Sequence, residues 1–237
     1  MALSYSQGTG TTPLLGETIG ANFDRAVATF PERDALIVRH QGLRLTYGEL
    51  GENVDWTARA LHALGLRKGD RLGIWAPNCG EWVHVQFATA KLGIILVNIN
   101  PAFRTTELAY ALRQSGCRAL IAAPEFKGSD YRAIVDEVRD DLPELEHVFF
   151  LGDEVHALVR SAPAEIEWPE LDFDEPINIQ YTSGTTGAPK GATLSHHNIL
   201  NNGYFVGEFC RYTEEDRVCI PVPFYHCFGM VMGNLGC

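Results

Sequence analysis

The feature that most constrains the fold of this sequence is an alternation of helical and strand patterns between residues 46 and 151. The first helix is predicted to begin at Thr46, because Thr46 and Glu49 have the spacing of a capping box, and to stop at Gly65. The segment 80–92 is apolar on nearly every side, which is typical of a helix buried between two layers. Strands that alternate with helices over short connections predict an α/β fold, with a mostly parallel sheet flanked by helices. The predicted strands are 71–76, 94–97, 118–122 and 148–151, and the predicted later helices are 80–92, 105–115 and 130–140.

Two further segments lie around this α/β core. Residues 35–38 and 43–46 flank Gln41-Gly42, which predicts a small β-hairpin near the N-terminus. Residues 152–176 are acidic and contain three prolines, which predicts a connection on the surface.

The net charge of the 237-residue chain is −11, and one stretch carries −12 while the remainder carries +1. Between Asp136 and Glu175 lie fourteen acidic residues and two arginines, so the rest of the chain carries 17 basic and 16 acidic residues. Proteins that bind nucleic acid need a basic footprint, and this sequence has none, so nucleic acid is excluded as a partner. The acidic stretch itself is typical of a solvated surface.

Other features of the composition favour a globular intracellular protein. No apolar run approaches the ~20 residues that a membrane-spanning helix needs, and peripheral contact with a membrane is left open. Residues 1–17 form a polar lead-in without the regions of a signal peptide, which favours a cytoplasmic location. The six cysteines lack the spacing of a metal site and are expected to be reduced and mostly buried, and the four tryptophans are expected in the core. The oligomeric state does not follow from these patterns.

The segment with the most chemical content follows a strand predicted at 177–181. The loop over 182–191 combines glycines that allow close backbone approach, four hydroxyl side chains and the cationic Lys190, which are the groups that cradle a polyphosphate. It is not a Walker A loop, because Pro189 precedes Lys190 and a glycine follows it, and it is not a dinucleotide fingerprint, which lies at the first βα turn. A helix is predicted to open near Ser195. Its predicted apolar face consists of Ile199, Phe205, Val206, Phe209 and Cys210.

A family resemblance rests on three stretches of the sequence. The loop with its flanks reads YTSGTTGAPKGATLSHHN and is similar to the phosphate-binding signature of the adenylate-forming (AMP-binding) superfamily, which includes acyl-CoA synthetases, aryl-CoA ligases and luciferases. An earlier stretch, LTYGELGENVDWTARAL, resembles the early helix of that family, and a later one, PVPFYHCFGM, resembles its next core motif beside the acyl pocket. The likeness runs from about Thr18 to the last residue. It implies that residues 18–237 are an incomplete N-terminal AMP-binding domain with the acyl-CoA synthetase-like fold.

Within the superfamily, the sequence is most similar to medium- and long-chain fatty-acyl-CoA ligases. Adenylation domains of peptide synthetases usually place an Asp directly after the Phe of the second motif, whereas here Phe224 is followed by Tyr225 and His226. The resemblance therefore implies a carboxylic acid substrate without an α-amine, namely a fatty acid.

The resemblance also implies a two-step reaction that uses ATP, Mg²⁺ and CoA. The carboxylate of the fatty acid would attack the α-phosphorus of ATP, and the CoA thiol would then displace AMP from the acyl-adenylate. Thr182 would help to hold Mg²⁺, Lys190 would neutralise the departing pyrophosphate, and His226 would lie near the adenylate carbonyl or gate the acyl tunnel. His196 and His197 are weaker candidates. The residues expected to grip the β- and γ-phosphates are Thr182, Ser183, Gly184, Thr185, Thr186, Gly187, Ala188, Pro189 and Lys190.

Proteins of this family continue well beyond this length. The additional part would supply the adenine- and ribose-binding residues, a glutamate for Mg²⁺ and the catalytic lysine. Residues 228–237 form an apolar helical run without a cap, so the chain is expected to be an N-terminal fragment that binds nucleotide weakly and does not turn over. Two alternatives stay open: an aryl-CoA ligase or luciferase-like enzyme, and a non-catalytic nucleotide-binding remnant.

Overall fold

The computed structural model of this protein describes residues 10–182 and 189–237. Residues 1–9 of the predicted lead-in and 183–188 of the predicted phosphate loop lie outside the described residues. The helices are α1 (Ile19–Thr29), α2 (Tyr47–Ala63), α3 (Gly80–Leu92), α4 (Thr105–Ser115), α5 (Tyr131–Val138), α6 (Asp153–Arg160), α7 (His196–Cys210) and a π-helix (Phe228–Leu235). The strands are β1 (Asp34–Val38), β2 (Leu43–Thr46), β3 (Arg71–Trp75), β4 (Ile95–Asn98), β5 (Ala119–Ala122), β6 (Glu125–Phe126), β7 (Ser129–Asp130), β8 (His147–Phe150), β9 (Pro176–Thr182) and β10 (Lys190–Ser195).

Six of these strands form the central sheet, in the order β10-β9-β4-β3-β5-β8. All neighbouring pairs are parallel except β9 and β10, which are antiparallel. Strands β1 and β2 form the expected hairpin, closed by Gly42 in the left-handed conformation with φ of 64°. The predicted α/β fold, with its mostly parallel sheet flanked by helices, is confirmed.

The first two predicted helices are confirmed in detail. The Thr46 hydroxyl accepts a hydrogen bond from the Glu49 amide at 3.2 Å, and the Glu49 carboxylate accepts one from the Thr46 amide at 2.9 Å. Helix α3 packs against α1 and α2 on its outer side, and most of its residues are buried. Its apolar surface is therefore a consequence of its place between two layers.

Helix α6 occupies part of the segment predicted as a surface connection, so that prediction is wrong for residues 153–160. The Glu154 carboxylate accepts a hydrogen bond from the Phe150 amide at 3.0 Å and pairs with Arg132 at 2.7 Å, while Val155 is buried. The bond to Phe150 spans only four residues, whereas the ion pair joins α6 to Arg132, which lies 22 positions earlier in α5. In residues 161–175, by contrast, no residue is buried, as a surface connection requires.

The acidic stretch is less uniformly solvated than its composition suggests. Several of its carboxylates reach basic residues of other elements, so part of the negative charge is neutralised across the fold. These ion pairs are Glu146 with Arg118, Glu154 with Arg132 and Glu175 with Lys68.

Strand β10 is not predicted by the sequence, which indicates a loop up to residue 191 and a helix that opens near Ser195. The segment reads KGATLS and has little strand character of its own, so its conformation depends on the ladder with β9. Ser195 caps α7 as predicted, since its hydroxyl accepts from the Asn198 amide at 3.2 Å.

The predicted apolar face of α7 is wrong. Helix α7 packs on the π-helix at Gly203, where an added Cβ atom would lie 3.0 Å from the Leu235 side chain. This close approach of the two helices determines which side of α7 is buried. Of the five predicted residues only Ile199 is buried, and Phe209 is 86% exposed. The three remaining residues of the predicted face are half-buried or exposed: Phe205, Val206 and Cys210.

Cysteines and tryptophans are less buried than predicted. All six cysteines are free in the described part of the chain, but only Cys79 and Cys117 are buried. Trp75 and Trp82 are fully buried, whereas the other two tryptophans lie at the surface and face cations. Their contacts are Trp56 with Arg59 at 4.9 Å and Trp168 with Lys91 at 5.0 Å. A cation–π contact allows an indole ring to stay half-exposed at low cost.

The apolar run predicted at 228–237 is helical, but it adopts π geometry rather than α geometry and packs on α7. Within residues 10–182 and 189–237, neither this helix nor any other combines the length and hydrophobicity needed to cross a membrane.

Candidate functional site

The two described ends of the predicted phosphate loop lie side by side at one edge of the sheet. Thr182 ends β9, Lys190 begins β10, and the two residues are paired in the antiparallel ladder. Strand β4 runs parallel to β9, so its carboxyl end at Asn98 lies at the same edge. Open α/β sheets bind ligands outside the carboxyl ends of their strands. The loop therefore leaves and re-enters the sheet where such a fold places its ligand.

The side chains of Thr182 and Lys190 project from the same face of the sheet, because directly paired residues share a face. Both residues are exposed. A hydroxyl and an ammonium group are thus available together to a ligand at this edge.

The opposite face of the β9–β10 hairpin rests on helix α4. The Tyr181 hydroxyl donates a hydrogen bond to the Ala111 carbonyl oxygen at 2.9 Å. The Tyr110 hydroxyl donates to the Pro189 carbonyl oxygen at 3.0 Å. The bond from Tyr181 attaches strand β9 to α4, and the bond from Tyr110 attaches the end of the loop at Pro189 to the same helix.

A cluster of buried amide side chains lies beneath the loop ends, consisting of Asn98, Asn178 and Gln180. The Asn178 Nδ2 atom donates to Asn98 Oδ1 at 3.1 Å, and Asn98 Nδ2 lies 3.3 Å from the sulfur of Met230. Each of the three amides is at most 5% exposed. Through the Met230 sulfur, which Asn98 and Gln180 both approach, the amide cluster links β4 and β9 to the π-helix.

The segment that contains His226 is held at the same edge of the sheet. Asn78, just after β3, donates through Nδ2 to the Val222 carbonyl oxygen at 2.9 Å and accepts through Oδ1 from the Phe224 amide at 2.8 Å. His226 is exposed, and its Nδ1 atom accepts from the Phe228 amide at 3.1 Å. The histidine therefore stands at the start of the π-helix, next to anchored backbone.

The structure does not bring His196 or His197 to the loop ends. His196 follows Lys190 by six positions, roughly 20 Å of extended chain. His196 is fully buried and accepts from the Ile19 amide through Nδ1 at 3.1 Å, and burial lowers its pKa to about 4. The Nδ1 atom of His197 lies 3.7 Å from the Oδ1 atom of Asp174. Both histidines serve the packing of α7.

Groups of three or more His, Cys, Asp or Glu side chains that could hold a metal are absent from the described part of the chain. Thr182 can offer one exposed hydroxyl oxygen. A single neutral oxygen fits Mg²⁺, which keeps most of its ligands from phosphate and water, and does not fit zinc.

A cavity of about 430 Å³ lies away from this edge, between the β1–β2 hairpin, α2, α3 and α6. Its lining includes Glu81 and His84, and burial lowers the pKa of His84 to about 4. Neither Thr182 nor Lys190 lines this cavity, so it is separate from the candidate site.

Sequence reasoning missed the residues that support the site. Tyr110 lies 79 positions from Pro189, and Asn78 lies 144 positions from Val222, so no local spacing connects either pair. Asn78 and Asn98 could have been proposed from sequence, because polar residues that end or follow a buried strand indicate the carboxyl edge of a parallel sheet. Tyr110 carried none.

Comparisons with known proteins agree with this architecture. The family model described as AMP-binding enzyme matches residues 23–237. Among curated relatives, the mitochondrial medium-chain acyl-CoA ligase ACSF2 of Rattus norvegicus is 41% identical over 263 residues, and that of Homo sapiens is 40% identical over 265 residues. These alignments cover 98% and 99% of this chain but 43% of each relative. The chain therefore spans less than half the length of these relatives.

Solved structures match over nearly the whole chain. The apo structure of MbtA from Mycobacterium smegmatis has a TM-score of 0.85 and 27% identity, covering 94% of this chain and 42% of that one. The inhibitor-bound N-terminal domain of FACL13 from Mycobacterium tuberculosis has a TM-score of 0.80 and 26% identity, covering 93% and 55%. The resemblance predicted from the loop is confirmed, and the chain belongs to the AMP-binding enzyme family.

Proposed function

We propose that this chain is the N-terminal part of a fatty-acid–CoA ligase, which activates a fatty acid with ATP and transfers the acyl group to CoA, releasing AMP and pyrophosphate. The observation that carries the proposal is the pairing of Thr182 with Lys190 at the carboxyl edge of the sheet. The names of the curated relatives, medium-chain acyl-CoA ligases, support the choice of acid. In this proposal residues 18–237 are an incomplete AMP-binding domain, and 1–17 are a lead-in.

The chemistry assigned to the loop is charge neutralisation at phosphorus. As the fatty-acid carboxylate attacks the α-phosphorus, negative charge builds on the departing pyrophosphate, and the Lys190 ammonium group would offset it. The Thr182 hydroxyl would contribute one ligand to Mg²⁺, which supplies further neutralisation of the phosphate oxygens when it is bound. Pro189 has no N–H, so it would shape the loop rather than donate to phosphate. The remaining phosphate contacts are assigned to Ser183, Gly184, Thr185, Thr186, Gly187 and Ala188.

The acyl side of the reaction is assigned to the segment around His226. Its anchored backbone and exposed position at the same edge support a place beside the acyl pocket, where the imidazole would contact the adenylate carbonyl or gate the acyl chain. The curated relatives are mitochondrial by name, and a cytoplasmic location for this protein stays a prediction.

Isothermal titration with Mg²⁺-pyrophosphate tests the phosphate site. Lys190→Ala is expected to weaken affinity about tenfold or more, because it removes a charge-assisted contact worth ~1.5–3 kcal/mol. Lys127→Ala is the matched control, since Lys127 is also exposed but lies at the turn between β6 and β7. Equal affinities for the two variants would contradict the assignment of Lys190.

Two activity measurements test the rest of the proposal. The chain alone is expected to give no ATP–pyrophosphate exchange, because the family resemblance implies a catalytic lysine in the additional part, and measurable exchange would refute this. For the complete enzyme we expect pyrophosphate release with decanoate to exceed that with benzoate. A preference for benzoate would favour an aryl-CoA ligase. No release with any acid, together with unchanged ATP affinity in Lys190→Ala, would favour a non-catalytic remnant.

A further inference from the structure

Helix α4 reaches the end of the phosphate loop through a chain of two hydrogen bonds. The Gln114 Nε2 atom donates to the Tyr110 hydroxyl oxygen at 2.8 Å, and that hydroxyl donates to the Pro189 carbonyl oxygen at 3.0 Å. A phenol hydroxyl has one proton and accepting lone pairs, so Tyr110 can make both bonds at once. Bonds linked in this way polarise and strengthen each other.

The position of the second bond gives it a specific consequence. The carbonyl of Pro189 and the amide of Lys190 belong to one peptide group, which is planar. A hydrogen bond to the Pro189 carbonyl oxygen therefore restricts the orientation of the whole peptide group, including the Lys190 amide. On the other side, Lys190 is paired with Thr182 in the β9–β10 ladder. The ladder and the tyrosine thus hold the start of β10 from two directions.

We propose that Tyr110, supported by Gln114, is a positioning residue for the phosphate site. It holds the Pro189–Lys190 peptide in the orientation that presents the Lys190 ammonium group beside Thr182. The inference rests on the proposed function, since it takes Lys190 as a phosphate ligand. Tyr110 itself contacts the backbone of the loop end, from the face opposite to the Lys190 side chain.

The chain contains a matched control for this hydroxyl. Tyr181 is also half-buried, and its hydroxyl donates to a backbone carbonyl, that of Ala111, at 2.9 Å. This bond likewise joins the β9–β10 hairpin to α4. It differs in that it does not involve the peptide group before Lys190. Tyr110→Phe and Tyr181→Phe therefore remove similar bonds between the same two elements, and only the first bond acts on Lys190.

The test is isothermal titration of the chain with Mg²⁺-pyrophosphate, combined with thermal unfolding. Tyr110→Phe is expected to raise the dissociation constant about threefold to tenfold, the range that one lost hydrogen bond corresponds to. Tyr181→Phe is expected to leave the dissociation constant unchanged while lowering the Tm by an amount similar to Tyr110→Phe. Gln114→Ala is expected to raise the dissociation constant by less than Tyr110→Phe, because the direct bond remains.

Hydrogen exchange gives a second readout that does not depend on ligand. Backbone amides of residues 190–192 are expected to exchange faster in Tyr110→Phe than in Tyr181→Phe. Equal dissociation constants for wild type and Tyr110→Phe, with Lys190→Ala still impaired, would overturn the positioning role and leave the proposed function intact. No binding by wild type, or no effect of Lys190→Ala, would overturn the proposed function and the inference with it.

Discussion

The centre of the sheet and its β9–β10 edge are stabilised in different ways. Every residue of β5 is buried, whereas none of the six residues of β10 is. In the centre, Trp75 stacks on Tyr131 with ring centroids 3.5 Å apart. At the edge, single hydrogen bonds from Tyr110 and Tyr181 join the hairpin to α4. Buried area stabilises in proportion to its size, while one hydrogen bond contributes about 1 kcal/mol. The edge can therefore change locally without unfolding the centre, as a binding loop requires.

The largest expected effect comes from breaking the centre with Trp75→Ala. The change removes the stack on Tyr131 and the bond from Nε1 to the Asn100 carbonyl oxygen at 3.1 Å, and it leaves a cavity. We expect a loss of about 3–5 kcal/mol in the free energy of unfolding, measured by urea denaturation at pH 7. Phe209→Ala at the exposed end of α7 is the control, expected to change stability by less than ~0.5 kcal/mol. Similar losses for both would show that stability does not come from the centre.

A smaller effect is expected from Gly229→Ala, which acts on the π-helix at the edge. A Cβ atom on Gly229 would overlap the carbonyl oxygen of Pro223, so the anchored segment before His226 would have to shift. Overpacking of this kind costs about 1–3 kcal/mol, which thermal unfolding would detect. Gly16→Ala is the control, because the nearest atom to its Cβ would be Phe173 Cε1 at 3.9 Å. An unchanged Tm for Gly229→Ala would mean that this close contact is not maintained.

The smallest effect expected of a single residue is the pH dependence contributed by each of two buried histidines. His84 in α3 and His196 in α7 both have a pKa lowered by burial from 6.5 to about 4, so both are neutral in the folded protein at pH 7. The unfolded chain binds these protons first as the pH falls, so the stabilisation is complete above pH 6.5 and is lost progressively down to about pH 4. Between pH 7 and pH 5 each histidine is expected to account for a loss of about 1–2 kcal/mol.

Substitution separates the two contributions to this pH dependence. His196→Asn keeps an acceptor for the Ile19 amide and removes the titrating imidazole. The dependence of the unfolding free energy on pH should therefore lose the contribution of one histidine. His84→Asn should reduce the slope similarly. An unchanged slope for His196→Asn would show that its imidazole is not held neutral by the fold.

The parts of the fold that the sequence predicted are those whose signals are local. The capping box at Thr46 lies within one turn of helix, and the bounds of α3 and α4 match the predicted segments 80–92 and 105–115. Helix α6 was missed because proline and acidic residues dominate the segment 152–176, and because its ion pair with Arg132 joins it to a separate helix. Strand β10 was missed because an edge strand of small residues takes its conformation from its partner.

The candidate site likewise contains residues that the sequence predicted and residues that only the structure brings together. Glycines, hydroxyls and Lys190 stand consecutively in the sequence, so the proposed phosphate loop could be identified without a structure. The supports of that chemistry could not, since Asn98, Asn178 and Met230 are brought together from distant positions.

The sequence by itself determined the class of fold, the family and the loop that is proposed to bind phosphate, because hydrophobic periodicity and a contiguous motif are properties of neighbouring residues. Only the tertiary structure decided that Thr182 and Lys190 face the same way, which side of α7 is buried, and that Tyr110 holds the peptide before Lys190. These features depend on strand register and on contacts between remote segments. The sequence encodes such contacts only through the free energy of the complete fold.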